Sequence, residues 1–401
     1  MSAAFGSSFA RFWISRVVAT LALHMQAVAV GWQLYTLTGS ALDLGLVGLV
    51  QFVPMILLTP IVGHVADRYD RCVVVTVCHL AEGVAAAALA VGTLNGWLDR
   101  TGLLTIMALA GVARAFENPA RAALLPQLVP MTVLSRAIAA VTAAGQAARI
   151  VGPALGGVMY VLGGTTVYAT VTALYVAAAL LIALIATEQP ARPLGRLTLA
   201  SVFSGLEFIR RRRVILGAIS LDLFAVLLGG ATALLPIYAR DILGTGPWGL
   251  GLLRAAPACG ALVMSVVLAR YPIERRIGPV LFGGVIVFGV ATVVFGVSTD
   301  MTLSLVSLAV LGASDLLSVV IRHSLVQLRT PDDMRGRVSA VNSLFTGSSN
   351  YLGEFESGLV AALFGPVAAV VIGGLGTIGV AALWMRWFPE LRSVRLTDRS
   401  R

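Results

Sequence analysis

The sequence predicts an all-α integral membrane protein, with twelve transmembrane helices in two pseudo-symmetric six-helix bundles. Three observations carry this reading. Hydrophobic residues make up 58% of the 401 residues and charged residues only 12%, about half the charged share of an ordinary soluble protein. So much apolar surface needs lipid as its solvent. Twelve apolar segments reach the roughly 20 residues that a helix needs to cross a bilayer. The second six segments also repeat features of the first at a near-constant offset. The same composition excludes disorder, collagen and coiled coil, and the 42 glycines suit helices that pack closely in lipid.

The spans fall at 12–37, 43–65, 72–94, 102–125, 134–162, 165–187, 214–239, 248–271, 278–298, 301–326, 337–363 and 366–388. Arg11 and Arg16 precede or open the first span, and no small-residue cleavage site ends it, so it reads as a retained helix rather than a signal peptide. An even number of spans puts both termini on one side. With that side cytoplasmic, 23 of the 29 arginines lie in cytoplasmic loops, helix ends and the tail, against Arg100 and Arg240 opposite. This asymmetry gives an N-in, C-in topology. It also accounts for the net charge of +10, with no lysine in the chain. Nucleic acid is not an expected partner, because the arginines are dispersed in short loops rather than gathered on one face.

One connection is long. Residues 188–213 begin with Pro190 and Pro193 and end in Arg210 to Arg213; between them Leu199, Val202, Phe203, Leu206 and Ile209 keep helical spacing. That pattern predicts an interfacial amphipathic helix. The organisation is therefore an N-terminal bundle (1–187), a cytoplasmic linker (188–213), a C-terminal bundle (214–388) and a cytoplasmic tail (389–401).

The repeat supports this split. At an offset of 201, Arg114 falls on Asp315, Arg121 on Arg322, Pro130 on Pro331 and Arg136 on Arg337; at 203, Gly48 falls on Gly251, Pro54 on Pro257 and Asp67 on Arg270. In the fifth span Gly152-Pro153-Ala154-Leu155-Gly156-Gly157 is matched by Gly353-Glu354-Phe355-Glu356-Ser357-Gly358 in the eleventh. Two homologous six-helix halves around a central pathway are the architecture of a secondary transporter.

The loop after the second span reads Gly63-His64-Val65-Ala66-Asp67-Arg68-Tyr69-Asp70-Arg71. Gly63 permits close helix approach, and Asp67 can pair with an arginine or a helix N-terminus. This GxxxDRxxR pattern resembles the signature of the major facilitator superfamily, although Cys72 stands where a second basic residue usually follows. Ala148 to Gly157 resembles the superfamily's fifth-helix antiporter motif: its Gly-Pro-x-x-Gly-Gly core is intact, while Ala139 and Ala148 replace upstream glycines. Two further stretches, Gln327 to Val338 and Ser348 to Gly358, together with Gly31-Trp32-Gln33-Leu34-Tyr35 and Glu117-Asn118-Pro119-Ala120-Arg121, resemble the branch of bacterial siderophore exporters that includes the enterobactin exporter.

That resemblance implies proton-coupled export of a small molecule by alternating access across the bacterial inner membrane, by a monomer in the lipid bilayer, with a siderophore as lead substrate. Multidrug or macrolide efflux, and a lipid flippase or importer of the same fold, stay open as alternatives. Within this reading Gly63, Asp67, Arg68, Arg71, Glu117, Arg121 and Arg322 are the gating residues, and Gly152, Pro153, Gly156 and Gly157 the helix-packing set.

Charges inside the spans should mark the working site, since each costs about 2.5–3.5 kcal/mol at bilayer centre on insertion scales and must face protein or water. Asp222, Glu354 and Asp315 are the candidates for proton coupling; His24, Arg114, Arg149, Asn350 and Glu356 are the candidates for substrate binding. Each has a structural alternative: a permanent ion pair for the acids, a satisfied interior histidine for His24, simple helix packing for the glycine motif. Three cysteines (Cys72, Cys78, Cys259) without a CxxC give neither a disulfide framework nor a zinc site. A phosphate-binding GxxxxGK[ST] loop cannot exist without lysine, which excludes ATP-driven transport by this chain alone. No enzyme chemistry, cofactor or metal is expected.

Overall fold

The computed structural model describes residues 6–185, 199–273 and 276–393, without the side chains at 59, 60, 63, 64, 66, 67, 199 to 202, 332 and 333. The side chains of Gly63 and Asp67, much of the expected linker and the end of the tail thus lie outside the described residues.

Among the described residues the chain is helical throughout. The helices are α1 (Ser7–Thr38), α2 (Ala41–Arg68), α3 (Arg71–Leu94), α4 (Arg100–Leu128), α5 (Leu134–Tyr160), α6 (Gly164–Ala183), α7 (Leu199–Arg211), α8 (Arg213–Leu228), α9 (Gly246–Arg270), α10 (Ile277–Val297), α11 (Met301–Arg329), α12 (Asp332–Phe364) and α13 (Pro366–Trp387). Two short turns extend α8: a 3-10 turn at Ala231–Leu234 and a π turn at Tyr238–Ile242, so that the whole crosses as Arg213–Ile242. Ten of these helices are long and apolar enough to span a membrane. The other two long helices, α4 and α12, have the length but carry more charge. They carry six of the expected site residues: Arg114, Glu117 and Arg121 on α4, and Asn350, Glu354 and Glu356 on α12.

Local chemistry sets the boundaries. Gly39, at φ 60°, closes α1 in the left-handed conformation that glycine adopts without strain. Asp70 caps α3 by accepting from the Cys72 amide at 2.7 Å. Asp99 caps α4 through the Gly102 amide at 2.8 Å, and 201 residues later Asp300 caps α11 through the Leu303 amide at 2.8 Å. Each aspartate satisfies an amide that the first helical turn leaves unpaired and places negative charge at the positive end of a helix.

Packing repeats as well. In the first six spans α3 packs on α6 and α4, and α1 on α5 and α6; in the last six α10 packs on α13 and α11, and α8 on α12 and α13. The pairing scheme is the same, helix for helix. One apolar core joins Phe9, Phe12, Val75, Leu124 and Ile182, and another joins Leu221, Leu281, Phe282, Ile321 and Trp384.

Two compact units result. Unit 1 comprises Met1–Gly39, Val50–Arg196 and Thr245–Ala255; unit 2 comprises Ser40–Leu49, Leu197–Gly244 and Ala256–Arg401. The boundaries depart from a simple cut in mid-chain. The start of α2 belongs to unit 2 and the start of α9 to unit 1, because glycine contacts bind those turns more tightly to α12 and α5. The amphipathic helix is present as α7, and it is docked on protein: Ile209 is buried with Ile215, Ile219, Val326, Val338 and Val341, and Gly205 lies against the Arg337 backbone. Its apolar face is therefore partly covered by unit 2, and Phe203 stays exposed.

Candidate functional site

In unit 1 the charged side chains converge from α3 and α4. Arg114 Nε donates to Glu82 Oε1 at 3.1 Å, and its Nη1 donates to Gln51 Oε1. His79 Nδ1 lies 3.6 Å from Glu82 Oε2, and neither atom has a hydrogen-bond partner among the described residues. One turn along α4, Arg121 Nη1 donates to Glu117 Oε1 at 2.5 Å and its Nη2 to Asn118 Oδ1 at 2.9 Å. His79, Glu82 and Glu117 are each at most 5% exposed, which places this network in protein and not in lipid.

These three residues could hold a metal by position, since their ligand atoms lie within 4.8 Å of one another. The chemistry opposes it. Each carboxylate already holds a guanidinium, so little negative charge remains for a divalent cation.

The glycine motif of α5 serves two neighbours. A Cβ on Gly152 would stand 2.9 Å from His24 Cβ, and one on Gly156 would stand 2.8 Å from Met25 Cα, so these two glycines seat α5 on α1. A Cβ on Gly157 would meet the Pro247 carbonyl at 2.5 Å, and one on Gly251 would meet the Pro153 carbonyl at 2.5 Å, so the other end of the motif seats α5 on α9. Arg149 and His24 flank the first contact and Arg254 follows the second.

Unit 2 holds a second network. Arg322, 1% exposed, lies with Nη2 3.1 Å from Asp222 Oδ2. Its Nη1 donates to Asn342 Oδ1 at 2.5 Å and to Thr346 Oγ1 at 3.2 Å. Asp222 and Asp315 both line a cavity of about 10 Å³, with Phe288 and Ser318, large enough for about one water. Glu354 lies at the crossing of α12 and α2: a Cβ on Gly48 would stand 2.7 Å from its Oε2, and one on Gly358 would stand 2.7 Å from Gly45 Cα.

The expected residues thus separate. Asp222, the neighbour of Arg322, shares a cavity with Asp315 in unit 2, while Glu117 and Arg121 pair in unit 1. Arg114 joins Glu82 within unit 1. Asn350 donates to the Thr346 carbonyl of its own helix at 3.0 Å, while Glu356 is half-buried on α12. Of the expected gate, Arg68 is exposed and Arg71 is buried at the start of α3. Sequence reasoning missed His79, Gln51, Asn342 and Thr346. The i,i+3 spacing of His79 and Glu82 was a usable signal, since it puts both on one helix face. A cavity of about 740 Å³ is lined mostly by apolar residues of α3 and α4 such as Val77 and Leu109. With these side chains exposed and Tyr69 and Cys78 as the polar side chains of its lining, it suits acyl chains.

The chain resembles known transporters along its whole length. It is 26% identical over 397 residues to the enterobactin exporter of Citrobacter koseri, covering 97% of this chain and 93% of that one. It is 24% identical to that of Salmonella choleraesuis, covering 97% and 94%. Among solved structures, an inward-facing, unoccupied bacterial homologue of the human lysosomal transporter Spinster superposes with a TM-score of 0.77 at 14% identity, over 96% of this chain and 98% of that one. The nucleoside transporter NupG superposes with a TM-score of 0.72 at 14% identity, over 95% and 99%. These likenesses establish the fold as that of a major facilitator transporter. The transmembrane secretion effector family matches residues 4–400, and the chain belongs to that family of multi-pass secondary transporters.

Proposed function

We propose that this transporter exports a small molecule in exchange for protons, by alternating access in a bacterial inner membrane, with both termini cytoplasmic. A siderophore of the catecholate or related class is its cargo. The cargo assignment draws on the full-length similarity to enterobactin exporters. Proton coupling rests on one observation: two aspartates, Asp222 and Asp315, face a cavity with room for about one water, and a buried arginine lies 3.1 Å from the first.

In this reading Arg322 on Asp222 is the loaded-with-salt-bridge state. When the helices move, Arg322 keeps its bonds to Asn342 and Thr346 and leaves Asp222, whose buried carboxyl then takes a proton rather than keep an uncompensated charge. Asp315 and the water pass that proton on, and Glu354 works at the α12–α2 crossing. His24, Arg114, Arg149, Asn350 and Glu356 contact the cargo. Gly63, Asp67, Arg68, Arg71, Glu117 and Arg121 latch and release one face, each opening breaking ion pairs that the closed state holds.

The test is flux in proteoliposomes with an imposed pH gradient, with a catecholate siderophore, a macrolide and a lysophospholipid as parallel cargoes. Gradient-driven siderophore movement that Asp222→Asn abolishes supports the proposal. Gradient-driven movement of only the macrolide or only the lipid replaces the siderophore with that class, and flux indifferent to the gradient removes proton coupling.

A further inference from the structure

We infer that unit 1 binds an anionic group of the cargo, a carboxylate or catecholate, between Arg149 and Arg254 beside His24. This rests on the substrate-binding role proposed above for His24 and Arg149 and adds the sign of the charge they receive.

The placement follows from the glycine contacts. Gly157 meets Pro247 while Pro153 meets Gly251, so α5 and α9 run antiparallel at their crossing. Going back one turn along α5 from Pro153 reaches Arg149, and going forward one turn along α9 from Gly251 reaches Arg254. Gly152, between them on α5, touches His24. The three side chains therefore leave their helices at one level. The charges of Arg149, Arg254 and Arg114 all act on His24, and those of Arg121, Glu117 and Arg149 act on Arg16.

The local charge is unbalanced. Among the described residues the spans of unit 1 bring Arg16, Arg114, Arg121 and Arg149 together with two acids, Glu82 and Glu117. Those acids are held by Arg114 and Arg121. Among the described residues Arg149 makes no ion pair or hydrogen bond and is exposed, and the buried Nε of Arg16 has no acceptor. Guanidinium groups do not shed their protons, unlike lysine, so this excess charge is permanent. Inside a membrane such charge faces water or an anion. The planar fork of arginine suits two-oxygen acceptors such as carboxylate and catecholate.

The experiment is calorimetric titration of the purified full-length protein in nanodiscs. The probes are 2,3-dihydroxybenzoate, ionised at neutral pH, and catechol, neutral there. The dihydroxybenzoate should bind at least tenfold more tightly than catechol, and less tightly as salt rises. Arg149→Gln should weaken it about tenfold, a loss of about 1.4 kcal/mol. Arg149→Lys should retain part of that affinity, and Arg254→Gln is a second, separate reading should Arg149→Gln fail to fold. Equal binding of both probes, no binding of either, or unchanged affinity in the folded glutamine variants overturns the inference. Binding is measured without a gradient, so a protein that binds the anion but whose flux ignores pH loses the proton mechanism and keeps this site.

Discussion

The same helix crossing is built twice in this molecule, and the two copies differ at one decisive place. In unit 1 α5 meets α9 through Gly157 and Gly251, with Pro153 on the contact; in unit 2 α12 meets α2 through Gly358, Gly45 and Gly48, with Glu354 on the contact. Gly157 and Gly358 are 201 residues apart, and so are Pro153 and Glu354. Backbone geometry is thus held common by glycine, which lets two helices touch without side chains between them. The variable position receives a ring in one half and an acid in the other. The interior charges diverge in the same way: unit 1 carries an excess of arginine, while unit 2 sets Asp222 and Asp315 around one Arg322. Repetition fixes the scaffold, and substitution within it separates the two jobs proposed above.

The comparison can be broken most severely at Arg322. Arg322→Ala leaves Asp222 buried without its partner and should cost about 3–5 kcal/mol, read as a lowered midpoint of thermal unfolding in detergent. The double variant Arg322→Met with Asp222→Leu should recover most of that stability while losing its response to a pH gradient. An Arg322→Ala protein as stable as the parent would mean that the pair does not hold unit 2 together.

The two crossings themselves should respond alike. Gly157→Ala and Gly358→Ala each push a methyl group against backbone atoms and should cost about 1–3 kcal/mol. A large cost in one and none in the other, by the same unfolding measurement, would end the claim of equivalent geometry. Glu354→Gln sharpens the contrast from the functional side. It should change stability by less than about 1 kcal/mol, yet weaken gradient-driven flux severalfold. The smallest effect is expected at Gly145, where an added Cβ meets nothing within 4 Å. Gly145→Ala should stabilise α5 by about 0.5–1 kcal/mol through helix propensity alone.

Much of the fold was legible in sequence because lipid enforces it. Backbone groups in a bilayer must be paired within a helix, so an apolar run of sufficient length has few alternatives. The offset between Gly157 and Gly358 exposed the repeat for the same reason: a close crossing admits almost no other residue. The sites were less legible. Arg114 and Asp315 are repeat partners, and Arg114 bonds Glu82 on a neighbouring helix of its own unit. Offsets report equivalence, not contact. His79 passed unnoticed because a lone histidine in an apolar helix carries no spacing signal until Glu82 is read with it. The docking of α7 was hidden because an amphipathic pattern does not distinguish a lipid surface from a protein groove.

The eighth helix carries a last consequence. After Leu228 its winding tightens over Ala231–Leu234 and loosens over Tyr238–Ile242, while Tyr238 is anchored by its hydroxyl to the Gly296 carbonyl at 2.8 Å. Residues overwound on one stretch and underwound on the next can trade twist without altering total length. Asp222, a turn and a half before the change of pitch, can therefore swivel about the helix axis while the far end stays moored, as a key turns in a fixed lock.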